Sequence, residues 1–267
     1  MGANDTPGVR TDRVDATLVV TIDRQERRNA VDAPTAAALA EAFRDFDADD
    51  TLAVAVLTGA GGTFCSGADL VAIGEGNGNR VDADQSADAP LGCTRMMLNK
   101  PVIAAVEGFA VAGGLELALW CDLRMAAADA TFGVFCRRFG VPLIDGGTVR
   151  LPRLIGQSRA SDMILTGRAV SGEEAGGWGL ANRVCAPGEA LDRAVELAGS
   201  LAGLPQVCLR NDRRSSHEQW GMGLADALAN ETRLGIDSLH SGEAVEGAGR
   251  FAAGAGRGGA PADVDGP

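Results

Sequence analysis

The 267 residues carry a formal net charge of -12 with 46% hydrophobic side chains, so the chain can bury a substantial core but offers little for nucleic acid or an anionic membrane. Six scattered cysteines without a Cys-x-x-Cys pair, and two histidines (His217, His240) far from them, argue against a disulfide framework or a zinc site, and no metal is expected. Residues 1–12 lack the apolar core of a secretory signal, and the longest apolar stretch, 102–120, contains Glu107 and Glu116, so a soluble cytoplasmic protein is expected.

In chain order, residues 1–12 read as a flexible arm. The β-branched run Thr17–Ile22 predicts a strand, followed by a polar loop with Arg24, Arg27 and Arg28. Asp32 before Ala33 and Pro34 signals a helix start, and apolar positions 36, 39, 40, 43 and 46 give that helix one buried face. Residues 52–57 are continuously apolar, as in a strand covered on both faces. Residues 74–90 have the composition of a mobile loop, and 91–98 read as helical before the break at Pro101. A strand at 102–106, a helix from Gly113 and a strand at Leu123–Ala127 alternate as in α/β crossovers. Helices are expected at 146–155, 157–166 and 171–178, then a short strand near 182–185. Beyond Pro187 only helices are expected, over 187–202, 206–217 and 218–240. The spacing predicts a core over 13–205, a helical segment over 206–251 and flexible tails at 1–12 and 252–267.

The strand–turn–helix at 101–120 carries the most chemistry. Glycines at a helix mouth let the backbone approach a ligand, and first-turn N–H groups lack intrahelical partners. With the positive end of the helix dipole they suit an oxygen gaining negative charge. Glu116 lies in that first turn, either as a reactive carboxylate or as an acid that merely complements the dipole. Gly59-Ala-Gly-Gly62 follows a strand, but the helix and acidic residue of a dinucleotide turn do not follow it, so a nucleotide-dependent oxidoreductase is a minor alternative. No Gly-Lys-Ser/Thr phosphate loop or Gly-x-Ser-x-Gly elbow occurs, and the chain has no tyrosine to act as acid or base.

Two glycine-flanked turns, Phe64-Cys-Ser-Gly-Ala-Asp-Leu70 and Ala112-Gly-Gly-Leu-Glu116, together resemble the crotonase superfamily, also called the enoyl-CoA hydratase/isomerase family. The resemblance runs from about residue 14 to about residue 251. It includes Arg28-Asn-Ala30, Lys100-Pro101, Cys121-Asp122, Gly146-Gly-Thr148, Leu151-Pro-Arg-Leu-Ile-Gly156 and Trp178-Gly-Leu-Ala-Asn-Arg-Val184, in order and spacing. It implies an α/β fold: a crotonase-like ββα-superhelix core with a C-terminal helical segment.

The resemblance also implies chemistry. The partner would be an acyl-CoA thioester, with coenzyme A as part of the substrate and no separate cofactor. The amides of Ala68 and Gly113 would form an oxyanion hole for the thioester oxygen. Asp69 and Leu70 would line the CoA channel. Arg24 and Arg28, beside Ala30, would meet the CoA phosphates, with a solvated basic loop as the alternative. Glu116 aligns with the first of two catalytic glutamates in family hydratases. The second falls at Cys136, because the Phe-Gly-x-Pro-Glu pattern is here Phe132-Gly-Val-Phe-Cys136. Cys136 reads as a small apolar filler. Asp145 reads as a relocated second carboxylate, as the cap of the helix after it, or as both. Arg137 and Arg138 face either the acyl pocket or a subunit interface.

The expected activity is hydration of a 2-enoyl-CoA. Enoyl- or dienoyl-CoA isomerisation, or a lyase or synthase step using Asp145, is the runner-up, and thioester binding with little catalysis is a third reading. A homotrimer or dimer of trimers follows from the resemblance alone. The acyl substrate is not legible, since residues 70–98 and 132–145 are the least family-like.

Overall fold

The computed structural model describes residues 4–6 and 8–256. The chain opens with β1 (Asn4–Thr6), β2 (Val9–Val14), β3 (Thr17–Ile22), α1 (Ala33–Ala48), β4 (Val54–Gly59) and the short α2 (Leu70–Gly74). The centre comprises β5 (Val102–Val106), β6 (Phe109–Val111), α3 (Gly113–Trp120), β7 (Leu123–Ala127) and β8 (Thr131–Gly133). Next come α4 (Gly147–Ile155), α5 (Gln157–Thr166), β9 (Ala169–Ser171), α6 (Gly172–Trp178), β10 (Arg183–Cys185) and α7 (Ala190–Ala202). The last three helices are α8 (Gln206–Glu218), α9 (Leu224–His240) and α10 (Glu243–Ala252).

The strands form a seven-stranded sheet, ordered β1-β2-β3-β4-β5-β7-β10, and a three-stranded sheet, ordered β6-β8-β9. From β3 to β10 the large sheet is parallel, while β1 and β2 add an antiparallel edge. Its central strands read as unbroken apolar runs because both faces are covered. Val54, Val56, Ile103 and Ala105 pack with Ala190, Ala194 and Leu197 of α7. The alternate residues Ala55, Leu57, Val102 and Ala104 belong to the main core with Leu39, Phe43 and Leu115.

Local chemistry starts α1 where the sequence predicts. The Asp32 carboxylate accepts the Thr35 N–H at 3.0 Å, and Pro34 lies in the first turn. Phe43 then meets Trp120 edge-on at 4.8 Å, which ties α1 to α3. Gly114 is required by close approach, since a Cβ there would lie 2.0 Å from the Cys65 carbonyl oxygen. This contact presses the mouth of α3 against the 64–70 turn.

Four expectations are revised. Residues 4–6 and 9–14 are strands, not a loose arm: β2 pairs through its backbone with β1 on one side and β3 on the other, and apart from Val9 its side chains stay outside the core. Residues 91–98 hold only a short 3-10 turn (Cys93–Arg95), because Gly92 is left-handed at φ 82° and Asp145 takes the Leu91 N–H and the Thr94 hydroxyl. The helix expected over 218–240 is broken around Gly221 and Gly223 and restarts at Leu224. The tail expected over 252–267 begins within α10, and residues 257–267 lie outside the described residues.

The segment after α2 is irregular, and the Asn79 amide fastens it by donating to the carbonyls of Val31 and Pro90. Helix α8 is held to the core at Asp122, whose Oδ1 accepts from Arg213 Nε at 2.8 Å and lies 2.9 Å from His217 Nε2. Among the described residues no helix is long and apolar enough to cross a membrane.

Candidate active site

Two chain turns converge at the mouth of α3. The backbone at 67–68 approaches it so closely that a Cβ on Gly67 would lie 2.8 Å from the Gly113 nitrogen, and one on Gly113 would lie 3.4 Å from the Ala68 nitrogen. Ala112, just before the helix, holds φ 54° and ψ -124°, a conformation that costs an alanine about 1–3 kcal/mol. It is fixed by its N–H donating to the Gly133 carbonyl at 2.8 Å. The N–H groups of Ala68 and Gly113 have no protein acceptor among the described residues. Both residues line a cavity of about 600 Å³.

Leu70, Glu116, Cys136 and Asp145 line the same cavity, whose walls are otherwise largely apolar. Apart from Asp69, the site residues predicted on the two turns, the central helix and the 132–145 segment therefore meet in one place. Glu116 is only 2% exposed, and its Oε1 accepts the backbone N–H groups of Gly147 (2.8 Å) and Asp145 (2.9 Å). No protein donor among the described residues pairs with Oε2. Gly147 packs closely on this carboxylate: a Cβ there would lie 3.0 Å from Glu116 Oε1.

Burial pushes the Glu116 carboxyl up to about 7; the Asp145 charge adds to this, and the two N–H donors oppose it. A carboxyl poised there exchanges protons readily near neutral pH. Asp145, 5% exposed, is also raised by burial, against the Thr94 hydroxyl (2.6 Å) and the Leu91 N–H (3.0 Å) that donate to its Oδ1. The Asp145 side chain does not cap α4, whose N-cap is Gly146 without a side-chain bond. Cys136, 5% exposed, has its thiol raised by burial and by the nearby Glu116 charge, so it stays protonated at neutral pH.

The remaining predicted residues lie elsewhere. Arg24 is not a free cation: its Nη2 pairs with Asp32 at 2.8 Å and Asp69 at 3.1 Å, and its Nη1 donates to the Ala30 carbonyl. Asp69 is committed to Arg24 and to capping α2, where it accepts from Val71 and Ala72, so it does not face the cavity. Ala30 is buried, and neither it nor Arg28 lines the cavity. Arg27 and Arg28 are exposed, and their guanidinium groups have no partner among the described residues. Sequence reasoning missed Thr94 and Arg150. Thr94 meets Asp145 across 51 positions, which no local pattern announces.

The chain matches the family model for enoyl-CoA hydratase/isomerase over residues 12–253. A carnitinyl-CoA dehydratase from Salmonella arizonae is 41% identical over 241 residues, covering 88% of this chain and 91% of the relative. Among solved structures, an enoyl-CoA hydratase from Mycobacterium marinum aligns with a TM-score of 0.86 at 39% identity, covering 92% of this chain and 96% of the other. One from Mycobacterium tuberculosis aligns at 0.87 and 38% identity, with the same coverage. The fold is that of the crotonase superfamily, and the chain belongs to its enoyl-CoA hydratase/isomerase family.

Proposed function

We propose that this hydratase-type acyl-CoA enzyme adds water across the double bond of a 2-enoyl-CoA, or removes it in reverse. The observation that carries the reading is Glu116, a buried carboxyl poised near 7, facing the same cavity as two unpaired backbone N–H groups. The Ala68 and Gly113 amides donate to the thioester oxygen, where negative charge grows as the enolate forms; losing one such donor costs about 3–4 kcal/mol. Ionised Glu116 takes a proton from water as its oxygen bonds to C3, and the π electrons move onto the thioester oxygen. The enolate collapses as C2 takes a proton, with Asp145 as the proton donor in place of the family's second glutamate. Coenzyme A enters only as part of the substrate, and no other cofactor is assigned.

The replacement of that glutamate by Cys136 favours isomerisation as the second reading, with Glu116 moving a proton between C2 and C4. Leu70 lines the cavity and is partly exposed, and the unpaired, exposed Arg27 and Arg28 are freer than Arg24 to meet CoA phosphates. The name of the Salmonella relatives makes carnitinyl-CoA a substrate to include. Exposed apolar side chains on the last helices, among them Leu224, Leu239 and Val245, support self-association, which we assign to a homotrimer or dimer of trimers; a cytoplasmic location belongs to the same proposal.

The test is loss of the conjugated-thioester absorbance of crotonyl-CoA. Wild type is expected to consume it and Glu116→Gln to bind it without turnover. Binding without hydration by wild type, but with double-bond migration in a 3-enoyl-CoA, would favour the second reading. Full activity in Glu116→Gln would remove Glu116 from the chemistry.

A further inference from the structure

Arg150 lies in the first turn of α4, half-buried, and its terminal nitrogens reach backbone rather than a carboxylate. Nη1 donates to the Asp145 carbonyl at 2.8 Å and Nη2 to the Thr94 carbonyl at 2.7 Å. These two carbonyls belong to the segments that hold both cavity carboxylates. The Thr94 hydroxyl donates to Asp145 Oδ1 at 2.6 Å, and the Asp145 N–H donates to Glu116 Oε1 at 2.9 Å. One planar guanidinium therefore closes a ring of hydrogen bonds around the site, a task suited to its fixed fork of donors. The backbone makes room for it: at Gly146, φ 97°, a Cβ would lie 2.2 Å from Nη1.

We propose that Arg150 is a positioning residue for the reaction, clamping the Asp145 and Thr94 segments so that Asp145 and Glu116 keep their mutual geometry. The proposal rests on the reading of Glu116 as the group that moves the proton. Charge acts in the same direction as geometry. The titratable and charged groups facing Glu116 are Asp145, Arg150 and Cys136, and those facing Asp145 include Arg95, Arg150 and Cys93. Among these only the arginines favour an ionised carboxylate, so a neutral side chain at 150 leaves Glu116 protonated to higher pH. A second cavity, of about 850 Å³, reaches Arg150 and Asp145 along a wall with Trp120 and Trp220, and gives small solutes a route to the guanidinium.

The experiment compares wild type with Arg150→Gln, Arg150→Ala and Arg150→Lys. In Arg150→Gln we expect kcat for crotonyl-CoA hydration to fall about tenfold or more with KM little changed. The rising limb of its pH profile should move about one pH unit upward. Arg150→Lys keeps the charge but not the fork, so its limb should stay near that of wild type while kcat falls. Millimolar guanidinium should restore part of the activity of Arg150→Ala and none of that of Glu116→Gln. An unchanged kcat in Arg150→Gln, or a loss with an unmoved pH limb and no guanidinium rescue, would overturn the proposal. The Glu116 carboxyl is also titrated directly by carbon-13 NMR, assigned with Glu116→Gln. If wild type hydrates nothing, the proposed function fails, and that titration still decides whether Arg150 governs Glu116.

Discussion

The cavity floor and the C-terminal helices follow opposite rules. On the floor, Glu116 and Asp145 are almost wholly buried, and each has one oxygen held by two donors from segments far away in sequence. In the last three helices, α8 and α10 bury no residue and α9 buries only Leu234 and Ser238. Their polar attachments to the core include Arg213 and His217 at Asp122 and Arg213 at the Leu98 carbonyl, and they leave Leu224, Leu239, Val245 and Phe251 exposed. The floor's carboxylates find donors within their own chain, and the tail presents exposed apolar surface that the rest of the chain does not cover. Changes on the floor should therefore alter chemistry or folding strongly, and changes on the tail should alter assembly.

The largest expected effect separates chemistry from binding. Glu116→Gln keeps an acceptor for the Asp145 and Gly147 N–H groups but cannot carry the proton, so kcat should fall about 10³-fold with thioester affinity retained. Calorimetry beside the absorbance assay checks both halves. A comparable loss of binding would mean that Glu116 holds the site together rather than reacting.

Next is the closest backbone approach. Gly114→Ala places a methyl 2.0 Å from the Cys65 carbonyl oxygen and should cost about 3 kcal/mol, read as a lower urea midpoint at unchanged slope. A wild-type midpoint would show that α3 does not press on the 64–70 turn.

A third prediction concerns pH and stability. The folded state raises the Glu116 carboxyl from 4.5 to about 7, so between those values the native protein binds more protons than the unfolded chain. Stability therefore falls as pH rises through this window, by up to about 3 kcal/mol from this group. Glu116→Gln removes the penalty. It should be more stable than wild type at pH 8, and the advantage should vanish below pH 4.5. Equal urea midpoints at pH 8 would contradict the burial argument.

The smallest effect belongs to the tail. Replacing exposed Leu239 and Val245 by glutamate should change monomer stability by about 0.5 kcal/mol or less while dissociating the proposed trimer in sedimentation velocity. Assembly unchanged in the double variant would place the interface elsewhere.

Much of this contrast was legible in the sequence. The helix mouth at Gly113, the carboxyl in its first turn and the glycine-flanked 64–70 turn depend on local patterns, and they converge in the cavity. The Asp32 cap and the buried runs at Thr17–Ile22 and Val102–Val106 were legible for the same reason. What could not be read depends on partners distant in sequence. Thr94 and Leu91 hold Asp145 across more than 50 positions, which turns an apparent helix at 91–98 into a short 3-10 turn. Arg24 reads as a phosphate ligand because its loop is basic, but nearby Asp32 and, from 45 positions away, Asp69 neutralise it. β2 carries no apolar rhythm because, apart from Val9, its side chains are not buried and the strand is specified by backbone pairing with β1 and β3.

The central claim is that Asp145 does the work of the glutamate that Cys136 replaces. Its most direct test is kcat for crotonyl-CoA hydration in Asp145→Asn, which still accepts the Leu91 N–H and the Thr94 hydroxyl but cannot donate the proton to C2. The account predicts a fall of about 10²-fold with KM nearly unchanged. Wild-type turnover in that variant would leave Glu116 as the sole acid and base of the site and contradict the account.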